Sequence, residues 1–189
     1  VLIAEIPHGK LQASHYQLAQ SPMPEAGDGQ VLVRTTAFAI TAGTRAGLQG
    51  SASYAGAPTT GVVMNATGVG EVVESRSADI AVGTMVSAPT GWQAYSVHDA
   101  RAVEVIPAAH DPIAYLGPLG INGLTAYFGL LEVGQPKAGE TVLVSAAAGS
   151  VGHLVGQIAK IKQTTVVGVC GSEEKGAVLV GQLGFDASV

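Results

Sequence analysis

Cysteine is almost missing from this sequence. Cys170 stands alone, so no disulfide can form within the chain. A lone thiol fits a reducing setting, and a cytoplasmic location is expected. Charge is scarce too. Only 12% of the 189 residues are Asp, Glu, Lys or Arg, the formal net charge is −5, and Lys and Arg form no run. That balance argues against nucleic acid and anionic membranes as partners. No apolar run approaches the roughly 20 residues of a membrane span, and no signal-peptide pattern opens the chain. The five histidines (His8, His15, His98, His110 and His153) show no ligand spacing and Gly-His-Glu is absent, so no metal site is expected. Ser145 and Ser150 have no Gly-x-Ser-x-Gly elbow around them, which removes a hydrolase nucleophile.

Hydrophobic residues make up 47% of the chain, enough for a well-buried core, and the 26 glycines favour tight turns over a helical bundle. Residues 1 to about 115 read as β-rich. Val31-Leu32-Val33-Arg34-Thr35-Thr36 and Gly70-Glu71-Val72-Val73 are short β-branched runs punctuated by Gly and Pro. Gly47 to Pro58, rich in Gly, Ser and Ala, reads as a mobile loop.

After Pro118 the pattern changes. Leu124 to Leu131 suits a helix ending before Gly134 and Pro136. Thr141-Val142-Leu143-Val144-Ser145 has the continuous apolar character of a buried parallel strand. Val151 to Lys162 follows as a helix, with Val151, Leu154, Val155, Ile158 and Ile161 at helical spacing. Val166 to Cys170 is a second buried strand. Glu173 to Leu183 is a second helix, and Phe185 to Val189 begins a third strand. The order β-α-β-α-β with short connections predicts a right-handed parallel sheet.

The turn after the first of these strands, Ala147-Ala148-Gly149-Ser150-Val151-Gly152, fits G-x-G-x-x-G with Ala147 at the first glycine position. Gly149 lets the backbone approach a pyrophosphate. Gly152 lets the helix pack on the strand, and N–H groups at the helix start face the phosphate oxygens. The bland alternative is a glycine-rich packing turn without ligand. An NAD enzyme places Asp or Glu at the end of the second strand, about 20 residues on; here the sequence is Cys170-Gly171-Ser172. Gly171 leaves room for a 2′-phosphate, Ser172 can donate to it and Lys175 lies within reach, which favours NADP. Lys175 reads equally as a solvated lysine paired with a neighbouring Glu. His153 reads either as a phosphate contact or as a solvated helix position.

Three segments together carry a family resemblance. They are Gly91-Trp92-Gln93-Ala94-Tyr95, Gly123 to Leu131, and Gly134-Gln135-Pro136-Lys137-Ala138-Gly139-Glu140-Thr141 running into Val144 to Gly152. The chain resembles the zinc-independent medium-chain dehydrogenase/reductases, in the branch of leukotriene B4 dehydrogenase/prostaglandin reductase and the double-bond reductases. The resemblance implies an α/β chain with a GroES-like substrate domain at 1–117, followed by the first half of a Rossmann domain with a parallel sheet at 118–189. It implies NADPH as cofactor and reduction of the C=C bond of an α,β-unsaturated ketone or aldehyde. Hydride goes to the β-carbon, and the enolate is held by the cofactor ribose hydroxyl and Tyr54. A proton then comes from solvent or a tyrosine. By the same resemblance Gly149, Val151 and Gly152 line the pyrophosphate, Gly171 and Lys175 meet the 2′-phosphate, and Thr125 and Tyr127 sit near the cofactor; Ala147, Ser150 and Ser172 complete the expected cofactor-binding set. Tyr127 reads alternatively as a core aromatic between the two domains.

Two departures stand out. Where this branch carries an Asp-Pro-Tyr-Met-Arg segment, the chain has Thr41-Ala42-Gly43-Thr44-Arg45, so only the arginine persists. A family member is also expected to continue past Val189 and complete both domains. Other readings therefore stay open: a quinone oxidoreductase of the same superfamily, a truncated non-catalytic remnant acting as an oligomeric binding or structural protein, and a piece of a longer enzyme. A homo-oligomer is expected, with an interface built differently from the family's because the usual pairing strand lies in the missing half.

Overall fold

Val31 and Val33 fall on one face of a strand because side chains alternate along β structure, and both are completely buried. In the computed structural model, which describes residues 1–49 and 59–189, they belong to the first of two compact units, Val1–Leu116. Its strands are β1 (Leu2–Ile3), β2 (Tyr16–Gln17), β3 (Gln30–Phe38), β4 (Gly68–Ser75), β5 (Met85–Ala88), β6 (Tyr95–Asp99) and β7 (Glu104–Val105). Among the described residues they form a β1–β2 pair and a five-stranded antiparallel sheet, ordered β6-β3-β4-β5-β7. Val31, Val33, Val72 and Val86 are the centre of its core, closed by Ile80 and Ala100.

A short helix, α1 (Ala42–Gln49), occupies part of the stretch expected to be a loop. Its start is held by Thr41, whose hydroxyl accepts from the Thr44 N–H at 3.3 Å. Its end is held by Leu48, buried against Ile3 and Met64. Tertiary anchoring thus overrides the weak helix propensity of a Gly-containing segment. The remainder of the expected loop, 50–58, lies outside the described residues.

The second unit, Gly117–Val189, is the α/β part. It runs α2 (Ile121–Phe128), β8 (Thr141–Val144), α3 (Gly152–Ile161), β9 (Thr165–Gly168), α4 (Glu173–Gly181) and β10 (Ala187–Ser188). The strands are parallel, in the order β10-β9-β8. The fold class is therefore α/β, with an antiparallel β-rich unit followed by a parallel β-α-β-α-β sheet. The helix expected at Leu124–Leu131 starts three residues earlier. It does not stop there but widens into a π turn over Gly129–Gly134, closed by Gln135 in the left-handed conformation.

Two burial expectations are corrected. The first strand is not buried on both sides. Val144 is buried but Leu143 is 67% exposed, because successive side chains point to opposite faces of the strand and only the face of Val144 packs into the core. Helix α3 does not bury its large apolar residues most deeply. Its buried positions are Gly156 and Ala159, while Ile161 is 78% exposed. That face meets Phe185. Its ring fills the space where a side chain at position 156 would stand, and it joins Val144, Ala147, Ala159, Val166 and Leu179 in the core. Only glycine lets helix and ring approach that closely.

Candidate cofactor site

The site is built where β8 gives way to α3. Ala146 takes a left-handed conformation, φ 47°, and its carbonyl accepts the Gly149 N–H at 2.8 Å. The Ala147 N–H donates to the Val169 carbonyl at 3.0 Å, which ties the turn to the end of β9. Gly152 then opens the helix in close contact with this turn: a Cβ there would lie 2.5 Å from the Ala146 oxygen and 2.8 Å from the Ala147 Cα. Any side chain at 152 would force the helix start away from the strand end. His153 adds a further tie, with its Nδ1 2.7 Å from the Gly149 carbonyl oxygen.

This turn borders a cavity of about 580 Å³, lined among others by Thr125, Leu130, Val142 to Ala146, Gly149 to Gly152 and Val155. It lies at the carboxyl end of a parallel strand and before a helix N-terminus, where open α/β sheets take their ligands. No acidic residue stands in the first turn of α3 to oppose an anion. Gly149, Ser150, Val151, Gly152 and Thr125 are thus brought together on one cavity. Ala147 is not on its surface. That residue is fully buried in the core, so it shapes the turn from behind, and Ala146 is the alanine that meets the cavity. The Thr125 hydroxyl donates to the Ile121 carbonyl at 2.6 Å within its own helix. Tyr127 is 49% exposed, meets Phe128 edge-on and does not line this cavity.

A second cavity, about 330 Å³, lies beyond the end of β9. It is lined by Cys170 to Glu173, Gly176, Ser188 and Val189. Gly171 is open, with nothing within 4 Å of a Cβ built on it. Ser172 begins α4 and its hydroxyl accepts from the Lys175 N–H at 3.4 Å, so it caps the helix. Lys175 is exposed and forms no ion pair among the described residues, unlike the paired lysine its sequence context suggested. Glu173 on the same cavity opposes any anion that Lys175 attracts. Tyr54 lies outside the described residues.

Sequence reasoning missed three features here. The left-handed residue is Ala146, where a glycine would be the usual signal. The imidazole of His153 holds a loop carbonyl, and Cys170 lines the second cavity with its thiol directed at the Ser172 carbonyl, 3.4 Å away. Among the described residues no group of three or more His, Cys, Asp or Glu could hold a metal ion, and no helix is long and apolar enough to cross a membrane.

Comparison with known proteins agrees with this geometry. Residues 1–106 match the family described as the N-terminal domain of oxidoreductase. The NADPH-dependent curcumin reductase of Escherichia coli is 39% identical over 186 residues, covering 98% of this chain and 54% of that protein. Prostaglandin reductase 1 of Rattus norvegicus is 40% identical over 179 residues, covering 93% and 52%. Among solved structures, CurA from Vibrio vulnificus in complex with NADPH superposes with a TM-score of 0.94 at 37% identity, covering all of this chain and 56% of that one. The chain thus spans about half the length of the relatives it matches. It belongs to the oxidoreductase family that carries this N-terminal domain, the medium-chain dehydrogenase/reductases that its own motifs resemble.

Proposed function

We propose that this chain carries the NADPH-binding turn of a reductase acting on the C=C bond of α,β-unsaturated ketones or aldehydes. The observation that carries the reading is the close-packed Ala146–Gly152 turn, which opens α3 onto a 580 Å³ cavity with its first-turn N–H groups free of acidic neighbours. Relatives named as NADPH-dependent curcumin reductase and prostaglandin reductase support the substrate class.

The residues fit the cofactor. Gly149, Ser150, Val151 and Gly152 would hold the pyrophosphate, with Ala147 packing the turn from below. Thr125 would wall the adjoining part of the cavity, and Tyr127 would stand near it. Gly171, Ser172 and Lys175 would take the 2′-phosphate end. When bound, NADPH supplies the hydride. The chain binds and orients it and supplies donors toward the substrate oxygen, with Tyr54 as the proposed hydroxyl. A free thiol at Cys170 fits a reducing, cytoplasmic setting. A homo-oligomer remains part of the proposal.

Calorimetric titration of the 189-residue chain with NADPH and NADH tests the cofactor reading. The expected result is micromolar binding of NADPH, weaker binding of NADH, and loss of that preference in Lys175→Ala. Binding of neither nucleotide would overturn the reading for this chain by itself, and function would have to be sought in a longer form or a complex. Turnover with an enone against a quinone then separates the two acceptor classes, and Tyr54→Phe should slow enone reduction.

A further inference from the structure

The Gly149 carbonyl receives both of its hydrogen bonds from a single residue. The His153 N–H lies 3.2 Å away and the His153 Nδ1 lies 2.7 Å away. A carbonyl only accepts, so Nδ1 carries the proton in this contact. The bond to the side chain is the shorter of the two, and the backbone bond alone is long for an N–H donor.

The consequence follows from the planarity of the peptide unit. In a trans peptide the carbonyl of one residue and the N–H of the next point in opposite directions. Drawing the Gly149 oxygen toward the first turn of α3 therefore aims the Ser150 N–H away from that turn. Ser150 lines the 580 Å³ cavity together with Gly149, Val151 and Gly152. A Gly–Ser peptide has little intrinsic preference between its two orientations, because Gly149 has no side chain to bias it. Resting on the cofactor reading above, we infer that His153 is a positioning residue: its imidazole locks the Gly149–Ser150 peptide so that the Ser150 N–H is presented to the pyrophosphate. The ring touches no cofactor atom in this role. It works by removing the alternative orientation of one peptide before the ligand arrives, which lowers the ordering cost of binding.

The role makes a prediction that a histidine contacting the 2′-phosphate, or a merely structural one, does not. NADPH and NADH share the pyrophosphate, so loss of the lock weakens both equally. His153→Ala should raise Kd for each about three- to tenfold, the range of one neutral hydrogen bond, with the ratio of the two unchanged. Lys175→Ala should change only the ratio. His153→Asn restores most of the affinity, because its amide can donate to the same carbonyl. Equal affinity of His153→Ala and the parent chain would overturn the inference. So would a failure of His153→Asn to recover, or a loss confined to NADPH.

Hydrogen exchange on the nucleotide-free chain decides the positioning claim separately from the cofactor reading. The Gly149 and His153 amides should exchange faster in His153→Ala and recover in His153→Asn, and unchanged exchange in the Ala variant would sink the claim even if both nucleotides bind. If the parent chain binds neither nucleotide, the cofactor reading fails, and the exchange result still stands or falls alone.

Discussion

Asp186 ties three segments of the second unit together. Its carboxylate accepts from Lys160 Nζ at 2.8 Å to each oxygen, and from the Val166 N–H at 2.6 Å. The Lys160 contact, then the Val166 N–H, hold its pKa below the ordinary value of 3.8. A carboxyl whose folded pKa is depressed contributes stability that is fully present above its unfolded pKa, and that is lost as pH falls through the folded value. The melting temperature should therefore drop as pH goes below about 4, and the drop should be shallower in Asp186→Asn, which keeps an acceptor for Val166 but no charge for Lys160. The drop will not vanish, because Asp99, lowered to about 2 by its side-chain hydrogen bond from Arg101, titrates in the same window. Thermal melts of both chains between neutral and strongly acidic pH check this. An identical pH dependence in the two would remove Asp186 from the account.

At the scale of the element, helix starts carry most of the site. The two cavities of the second unit lie at the openings of α3 and α4, and the two openings are made differently. The start of α3 has no side-chain cap and relies on a glycine turn closed by backbone bonds. The start of α4 has Ser172, whose hydroxyl satisfies one of the helix's free N–H groups. Ser172→Ala should cost about 0.5–1 kcal/mol of stability, at the low end for a cap because the bond is long and exposed. Ser172→Gly should cost only a few tenths. Urea unfolding of the three chains measures the difference. An Ala variant as stable as the parent would mean that the α4 cap is not made in solution. The same variant should lower the preference for NADPH over NADH, since the hydroxyl is proposed to serve the 2′-phosphate end as well.

At the scale of the whole molecule, the second unit presents an open sheet edge. Among the described residues its parallel sheet has β8 at one edge, paired only with β9. Beside it Leu143 is 67% exposed and borders the larger cavity. An unpaired edge with an apolar neighbour invites pairing with another chain. The 189-residue chain should therefore self-associate as its concentration rises, and Leu143→Lys should shift it toward monomer in sedimentation velocity. A parent chain that stays monomeric throughout would show that this edge is not used.

Local signals along the chain determined the class of this protein. The β-branched run at Val31–Thr36, the parallel-strand runs beginning at Thr141 and Val166, and the glycine turn at 149–152 each depend on a few consecutive residues. Together they established the α/β order, the strand–turn–helix context of the phosphate loop and the family resemblance. Tertiary packing decided which surfaces those elements use. Ile161 has the spacing of a core residue yet faces solvent, while the contact face of α3 is that of Gly156 and Ala159, where Phe185 packs. Leu143 belongs to an apolar run but points away from the core that buries Val144, since a run of residues does not report which faces of its strand are covered. The left-handed Ala146, the hydrogen bond from His153 to Gly149 and the burial of Ala147 all follow from how closely α3 approaches the end of β8. That approach depends on packing between residues far apart in sequence, as where Phe185 meets Gly156, 29 residues away, and no local pattern encodes it.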